Sequence, residues 1–333
     1  MEPARVTAVW PGKYQVATAL GIGNAEMSGR LRHQLYHAAR RPAIGDWVAA
    51  RKTGSGDWLI QHVLPRHSCL QRQKVDGDVE AQVIAANVDI CLIVQALDGD
   101  YNPARLDRYV ALARATGTQP VVVLTKADLA ATADEMAGQV RQAHADIHVH
   151  VVSAVEGTGM EQLKTAILPG KTHVAVGSSG VGKSTLVNLL AGKQLMKIGE
   201  VRQHDSRGRH TTSHRQMFLL PGGALFIDTP GIRELALFEH SGLGGSFQDI
   251  EQVAQQCKFN DCTHHDEPQC AVRAAIDSGQ LTQERLDSFR KMQKEAHLEK
   301  QKQVLLNKKM SKKKIKRSKV HYKDFVRGGS KKW

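Results

Sequence analysis

Between His173 and Leu190 the chain reads HVAVGSSGVGKSTLVNLL, and this stretch constrains the fold more than any other among the 333 residues. A short apolar run leads into a glycine-rich turn, and Lys183, Ser184 and Thr185 then open a helix. The pattern G-x-x-x-x-G-K-[ST] between a strand and a helix is a phosphate-binding loop. Gly177, Gly180 and Gly182, with Ser178, Ser179 and Val181 between them, let the backbone turn its N–H groups inward. The helix N-terminus adds the positive end of its dipole. Lys183 is placed to reach the β- and γ-phosphates of a nucleotide, and Ser184 to ligate Mg²⁺.

The surroundings suit such a loop. From about residue 83, short runs rich in Val and Ile (VDICLIVQAL, QPVVVLTKADL, IHVHVVSA, THVAVG, GALFIDTPG) alternate with helical stretches (PARLDRYVALARATG, ATADEMAGQVRQAHA, GMEQLKTAIL, KSTLVNLLAG). This alternation predicts an α/β fold with a mostly parallel, helix-covered sheet. Ligands of such sheets bind at the carboxyl ends of the strands.

Three further motifs fall at those ends. DTPG, 45 positions after Lys183, ends the strand ALFI; Asp228 is placed to hold Mg²⁺ through water and the Gly231 N–H to sense a γ-phosphate. TKAD (Thr125, Lys126, Ala127, Asp128) caps PVVVL. In GTPases the Asp of this motif pairs with the guanine N1–H and exocyclic amine, which adenine lacks, so the wrong base would leave the carboxylate unpaired. Thr125 stands where an Asn is usual and lacks its amide, which predicts a weaker tie between the loops. SAVEGTG, beginning at Ser153 and Ala154, fits the backbone loop at the guanine O6. The chain order is therefore base-reading, base-reading, phosphate, switch, which predicts a circularly permuted GTPase domain. Rejoined termini are tolerated because domain ends usually lie at the surface.

Between the phosphate loop and DTPG lies GRHTTSH. Thr211 or Thr212 is placed to complete the Mg²⁺ shell, with Thr212 the first candidate, and His210 to polarise the attacking water. Ile232 follows DTPG, where Ras-like enzymes carry a water-orienting Gln; an isoleucine cannot orient water, so hydrolysis must use another group or be slow until a partner supplies one. The segment after DTPG runs directly into the C-terminal region, so loss of a γ-phosphate is expected to reposition that region.

Residues 1–68 contain short, glycine-punctuated, often alternating segments (RVTAVWPGKYQVATA, GRLRHQL, GDWVAARKTGSGDWLIQHV), expected to form a small β-barrel such as an OB-fold that carries RNA, with Tyr14, Trp47 and Trp58 in core or stacking roles. Residues 69–82 read as a polar linker, 83–240 as the nucleotide domain, and 241–306 as a mostly helical module with a helix around 282–306. Within the module, CKFNDCTHHDEPQC offers Cys257, Cys262, His264 or His265, and Cys270, a closed Cys₃His set of the kind that holds a structural Zn²⁺. Five cysteines, three of them clustered here, suit a metal site better than a disulfide framework. Residues 307–333 form a basic tail expected to be disordered when alone. From Arg290 to Trp333 there are 17 Lys and Arg against three acids; the remaining 29 basic and 30 acidic residues nearly cancel, so the net charge of +13 lives at the C-terminus. A basic end of this kind points to a polyanion, nucleic acid first.

These motifs together closely resemble the ribosome small-subunit-dependent GTPase A family (RsgA, also called YjeQ). The most specific marks are the motif order, GSSGVGKST, GRHTT, DTPGIRE and the Cys-x₄-Cys-x-His-x₅-Cys cluster. The resemblance implies an N-terminal OB-fold, a permuted GTPase domain and a C-terminal zinc module. It implies Cys257, Cys262, His264 and Cys270 as zinc ligands, His264 rather than His265, and His210 as the catalytic histidine alongside Lys183. It further implies a factor in late assembly of the 30S subunit that binds 16S rRNA. A cytoplasmic monomer is expected, since MEPARVTAVWPGKYQ has no signal-peptide apolar region and no apolar run is of membrane length. Its hydrolysis of GTP to GDP would be stimulated by the subunit and promote release. The alternative is an RNA-binding module that uses GTP only as a conformational switch. An ATP-driven transporter or kinase subunit is disfavoured by TKAD and by the lack of an apolar run near the ~20 residues that span a bilayer.

Overall fold

The computed structural model describes residues 1–35, 41–72, 82–196, 215–228 and 247–294, with residues 297 and 301. It opens with β1 (Glu2–Trp10), β2 (Lys13–Thr18), β3 (Gly21–Met27), α1 (Gly29–Gln34), β4 (Trp47–Lys52) and β5 (Trp58–Val63). The strands pair in the order β1-β2-β3-β5-β4, and β4 returns to β1, so the sheet closes into a five-stranded barrel. β3 and β5 run parallel and the other pairs antiparallel, the arrangement of an OB-fold. Val6, Tyr14, Val16, Val48, Trp58 and Ile60 fill its interior. Trp47 instead remains 42% exposed, with the Arg5 guanidinium 4.8 Å from its ring centroid. GRLRHQ, grouped above with the barrel's extended segments, is the helix α1. Ser28 caps it by accepting from the Leu31 amide at 3.2 Å, and Leu31 is buried with the barrel core. Six residues are too few for periodicity to separate a helix from a strand.

β6 (Cys69–Arg72) and β7 (Gln82–Ala86) follow as an antiparallel pair. The segment expected to be a polar linker therefore contributes a strand, because Leu70 is fully buried against the nucleotide domain's core.

The nucleotide domain comprises β8 (Ile90–Ala96), α2 (Pro103–Ala115), β9 (Gln119–Thr125), α3 (Ala133–Ala143), β10 (His148–Val151), α4 (Met160–Ala166), β11 (Thr172–Val176), α5 (Lys183–Ala191), β12 (Arg215–Leu219) and β13 (Leu225–Asp228). Its strand order is β10-β9-β8-β11-β13-β12, parallel throughout except for β12. Side chains alternate between two cores, as period-2 strands require. Ile93, Val122, Leu124 and Val176 pack on one face with Leu106 and Val110 of α2 and Val140 of α3. Leu92, Val94, Val123 and Phe226 pack on the other with Leu163 of α4 and Leu186 of α5.

β1 joins barrel to sheet. Its first residues pair with β4, while Ala8 and Val9 pair with β12, which makes one continuous sheet and explains the run of buried residues Ala4–Ala8. Arg5 seals the junction by donating to Asn87 O and Thr172 Oγ1, both at 3.0 Å.

α6 (Gln248–Ala254), α7 (Ala271–Asp277) and α8 (residues 283–294) form the C-terminal module around Phe247, Ile250, Val272, Leu286, Phe289 and Met292. The module docks on α2: Ala111 belongs to its core, and Arg285 pairs with Asp249 at 2.9 Å and with the buried Asp107 of α2. The His144 ring completes the cluster, 2.9 Å from Asp107 Oδ1. Among the described residues no helix is long and apolar enough to cross a membrane.

Candidate nucleotide site and metal centre

At the carboxyl end of β11 the backbone makes a turn only glycine can begin. Gly177 has φ of 147°, and a Cβ there would lie 2.2 Å from Val94 O. Gly180 and Gly182 also take positive φ, and α5 starts at Lys183 with no side chain capping it. Its first-turn amides therefore face the loop, where phosphate oxygens would accept from them. Lys183 Nζ donates to Gly177 O at 2.9 Å and also to Ser178 O, so the ammonium is held over the loop. Val181 is buried, Ser184 and Thr185 are half-buried, and Ser179 and Gly180 are exposed.

β9, two strands away, delivers TKAD. Thr125 is buried, and its hydroxyl lies 2.6 Å from Val181 O and 3.2 Å from Gln95 O. Lacking the amide of an Asn, this position ties the base-reading segment to the phosphate loop through a hydroxyl. Lys126 takes a left-handed conformation, φ 58°, and its Nζ pairs with Asp98 at 2.7 Å. That hydrogen bond holds the Asp98 carboxyl below the usual carboxylate range. Ala127–Leu129 forms one 3₁₀ turn that presents Asp128 to solvent. Asp128 Oδ1 accepts from the fully buried Ser153 Oγ at 2.6 Å, and Ser153 Oγ accepts from the Glu156 amide at 3.1 Å. The loop after β10 thus orients the carboxylate and leaves its second oxygen for a ligand. This loop folds tightly: a Cβ on Gly159, φ 73°, would meet Val151 O at 2.0 Å. Ala154 and Val155 are exposed beside it.

Asp228 ends β13, next to β11 in the sheet. Burial pushes its carboxyl above the usual range, an environment in which a nearby cation is favourable. Lys183, Ser184, Thr125, Lys126, Asp128, Ser153 and Asp228 thus converge on one edge of the sheet. His210, Thr211, Thr212, Gly231 and Ile232 lie outside the described residues.

In the C-terminal module, one ligand atom from each of Cys257, Cys262, His264 and Cys270 lies within 4.8 Å of all the others. Cys257 Sγ is 3.9 Å from Cys270 Sγ, and His264 Nδ1 is 3.6 Å and 3.5 Å from these two sulfurs. An ion about 2.3 Å from sulfur and about 2.0–2.1 Å from nitrogen at a tetrahedral angle would separate them by about 3.8 Å and about 3.6 Å. The donor set fits Zn²⁺ in identity and spacing, and it would serve as a structural crosslink. Burial lowers the His264 pKa, which keeps the imidazole neutral as a ligand must be. His265 faces away.

Glu267, which the spacing of the Cys/His cluster does not single out, supports this loop. Its Oε1 accepts from the Thr263 hydroxyl (2.5 Å) and amide (2.8 Å), and its Oε2 from the His265 amide (2.7 Å), so it clamps the backbone on both sides of His264. These bonds, the Thr263 hydroxyl first, hold its carboxyl down to about 2. The signal was local, a Glu three residues after the His, but loop clamps of this kind have no distinctive spacing.

A family model described as RsgA GTPase matches residues 63–238. A second, described as 50S ribosome-binding GTPase, matches residues 172–308, beginning at the strand that enters the phosphate loop. The chain is 44% identical over 305 residues to "Small ribosomal subunit biogenesis GTPase RsgA" of Opitutus terrae, covering 88% of this chain and 83% of that one. It is 43% identical over 286 residues to "Small ribosomal subunit biogenesis GTPase RsgA 2" of Lactiplantibacillus plantarum, covering 85% and 80%. Among solved structures, YjeQ from Thermotoga maritima superposes with a TM-score of 0.67 at 25% identity, covering 89% of this chain and 98% of that one. YloQ, described as a circularly permuted GTPase, superposes at 0.64 and 25% identity over 89% and 95%. With its base-reading strands ahead of its phosphate loop, a barrel before them and a Cys₃His module behind, the chain belongs to the RsgA family of circularly permuted GTPases and is a GTP hydrolase.

Proposed function

We propose that this chain binds GTP with Mg²⁺ at the carboxyl edge of its sheet and hydrolyses it to GDP while bound to the 30S subunit late in that subunit's assembly. The observation that carries the reading is the convergence of Lys183, Asp128 and Asp228 at one sheet edge from segments out of the usual chain order. In this reading Asp128 selects guanine, with Ala154 at its O6, and Lys183 and the loop amides hold the phosphates. Ser184, Thr212 and Asp228 hold Mg²⁺, directly or through water, and Gly231 senses the γ-phosphate. With Ile232 in place of a Gln, His210 polarises the attacking water when the subunit stimulates turnover. The names of the relatives, which describe small-subunit biogenesis, support the choice of subunit.

The barrel and the basic C-terminus supply the contact with 16S rRNA, and Cys257, Cys262, His264 and Cys270 hold one structural Zn²⁺. The protein works in the cytoplasm as a monomer, and hydrolysis promotes its release from the subunit.

The test is steady-state GTP hydrolysis by the full chain alone, with purified 30S subunits, and with 50S subunits. Stimulation by 30S alone is the expected result. Equal, slow turnover in all three would overturn the subunit-stimulated reading in favour of an RNA-binding module that uses GTP only as a switch, a reading that Ile232 also permits.

A further inference from the structure

The phosphate-loop pattern leaves Ser178 unspecified, yet two cations hold it. Lys183 Nζ donates to its carbonyl, and Arg105 Nη1 donates to its hydroxyl. Arg105 comes from α2, 73 residues earlier in the chain. Its setting is fixed from below: its amide donates to the capping Asn102 Oδ1 at 3.0 Å, and Gln95, buried on β8, holds Asn102 through bonds of 3.0 and 3.2 Å. The guanidinium is also aimed. Nη1 and Nη2 grip the two carboxylate oxygens of Asp100 at 2.7 and 3.1 Å, which leaves the second Nη1 hydrogen for Ser178. Asp100 is about half exposed, so the ion pair contributes little to stability; its consequence is orientation.

We propose that Arg105 is a positioning residue for the phosphate loop, a second cation that holds Ser178 in place while Lys183 is shared between the loop carbonyls and the phosphates of the nucleotide. An ammonium has three N–H donors and already donates to Gly177 O and Ser178 O, so it cannot keep its full hold on the loop and also grip two phosphate oxygens. A second anchor keeps the first turn of the loop restrained when the nucleotide binds. Arg105 supplies that anchor and adds positive charge beside the polyphosphate. The restraint acts alike on di- and triphosphate, so removing it raises KM and leaves kcat nearly unchanged.

The inference rests on the assignment of Gly177–Thr185 to the phosphates, and the experiment separates the two. Equilibrium binding of fluorescent GDP and GTP analogues, with steady-state hydrolysis, is measured on the full chain carrying Arg105→Ala, Arg105→Lys, Ser178→Ala, the Arg105→Ala/Ser178→Ala pair, or Lys183→Ala. Arg105→Ala is expected to weaken both nucleotides about tenfold. Ser178→Ala should do the same, and the pair should be no worse than either alone, as for two groups in one interaction. Arg105→Lys should not rescue, since an ammonium lacks the fork that spans Asp100 and Ser178. Unchanged affinity in Arg105→Ala, effects that multiply in the pair, or a loss confined to kcat would overturn the proposal. Unchanged binding and turnover in Lys183→Ala would instead remove the phosphate-site assignment itself.

Discussion

The nucleotide site and the Cys₃His centre are built in opposite ways. The first draws on residues from Thr125 to Asp228, 103 positions apart, yet each hangs on a strand end whose core is complete without any ligand. The second takes all four donors from the 14 residues Cys257–Cys270, in a loop with little core of its own. A site carried by strand ends depends on where the strands lie in the sheet and is indifferent to their order in the chain, so permutation leaves it intact. A site carried by one loop depends on what crosslinks that loop.

The comparison can be broken first at the metal. Chelation or Cys270→Ala should open the module while β8, β9 and β11 keep their hydrogen-exchange protection, since structural zinc contributes on the order of 10–16 kcal/mol to such folds. Continued protection across 271–294 would show that the helices hold without the ion. Next is the joint between the regions. Arg285→Ala removes one of the two partners of the buried Asp107 carboxylate, leaving the His144 ring, and should lower the opening free energy of residues 283–294 by about 3 kcal/mol, read by hydrogen exchange. A loss below about 1 kcal/mol would mean that apolar contacts alone dock the module. Glu267→Ala should weaken zinc retention about 10- to 100-fold in a competing-chelator titration, as removal of an outer-shell clamp does. The smallest effect is expected at Thr125→Ala. Loss of the bond to Val181 O should cost about 1 kcal/mol, roughly fivefold in GTP affinity by calorimetry.

What was legible in the sequence follows the same division. The phosphate loop, TKAD, DTPG and the cysteine cluster each carry their chemistry in one short segment, and the parallel sheet announced itself through Val- and Ile-rich runs. The barrel was legible as a class but not in detail. GRLRHQ is helical because Ser28 caps it and Leu31 enters the core, both facts of tertiary placement. β6 hid in a polar stretch because only Leu70 is strongly apolar and its pairing partner lies beyond residue 81. Nor does any local pattern connect Arg105 to Ser178, or Asp107 to Arg285 178 residues later. Such contacts are set by the packing of α2 against the sheet and the module. Thr125 shows a related limit: its residue type suggested a weakened tie, whereas the fold brings a carbonyl within reach of its hydroxyl.

The central claim is that Asp128, read before the phosphate loop in the chain, selects the base of the nucleotide that the loop holds. Affinities of the Asp128→Asn variant and the unaltered chain for GTP and XTP test it most directly. An amide offers a donor to the xanthine 2-oxo group where a carboxylate offers only acceptors. The account predicts an inverted preference, GTP losing on the order of a hundredfold or more while XTP gains. An equal loss for both nucleotides, or an unchanged preference for GTP, would mean that the two segments do not share one site.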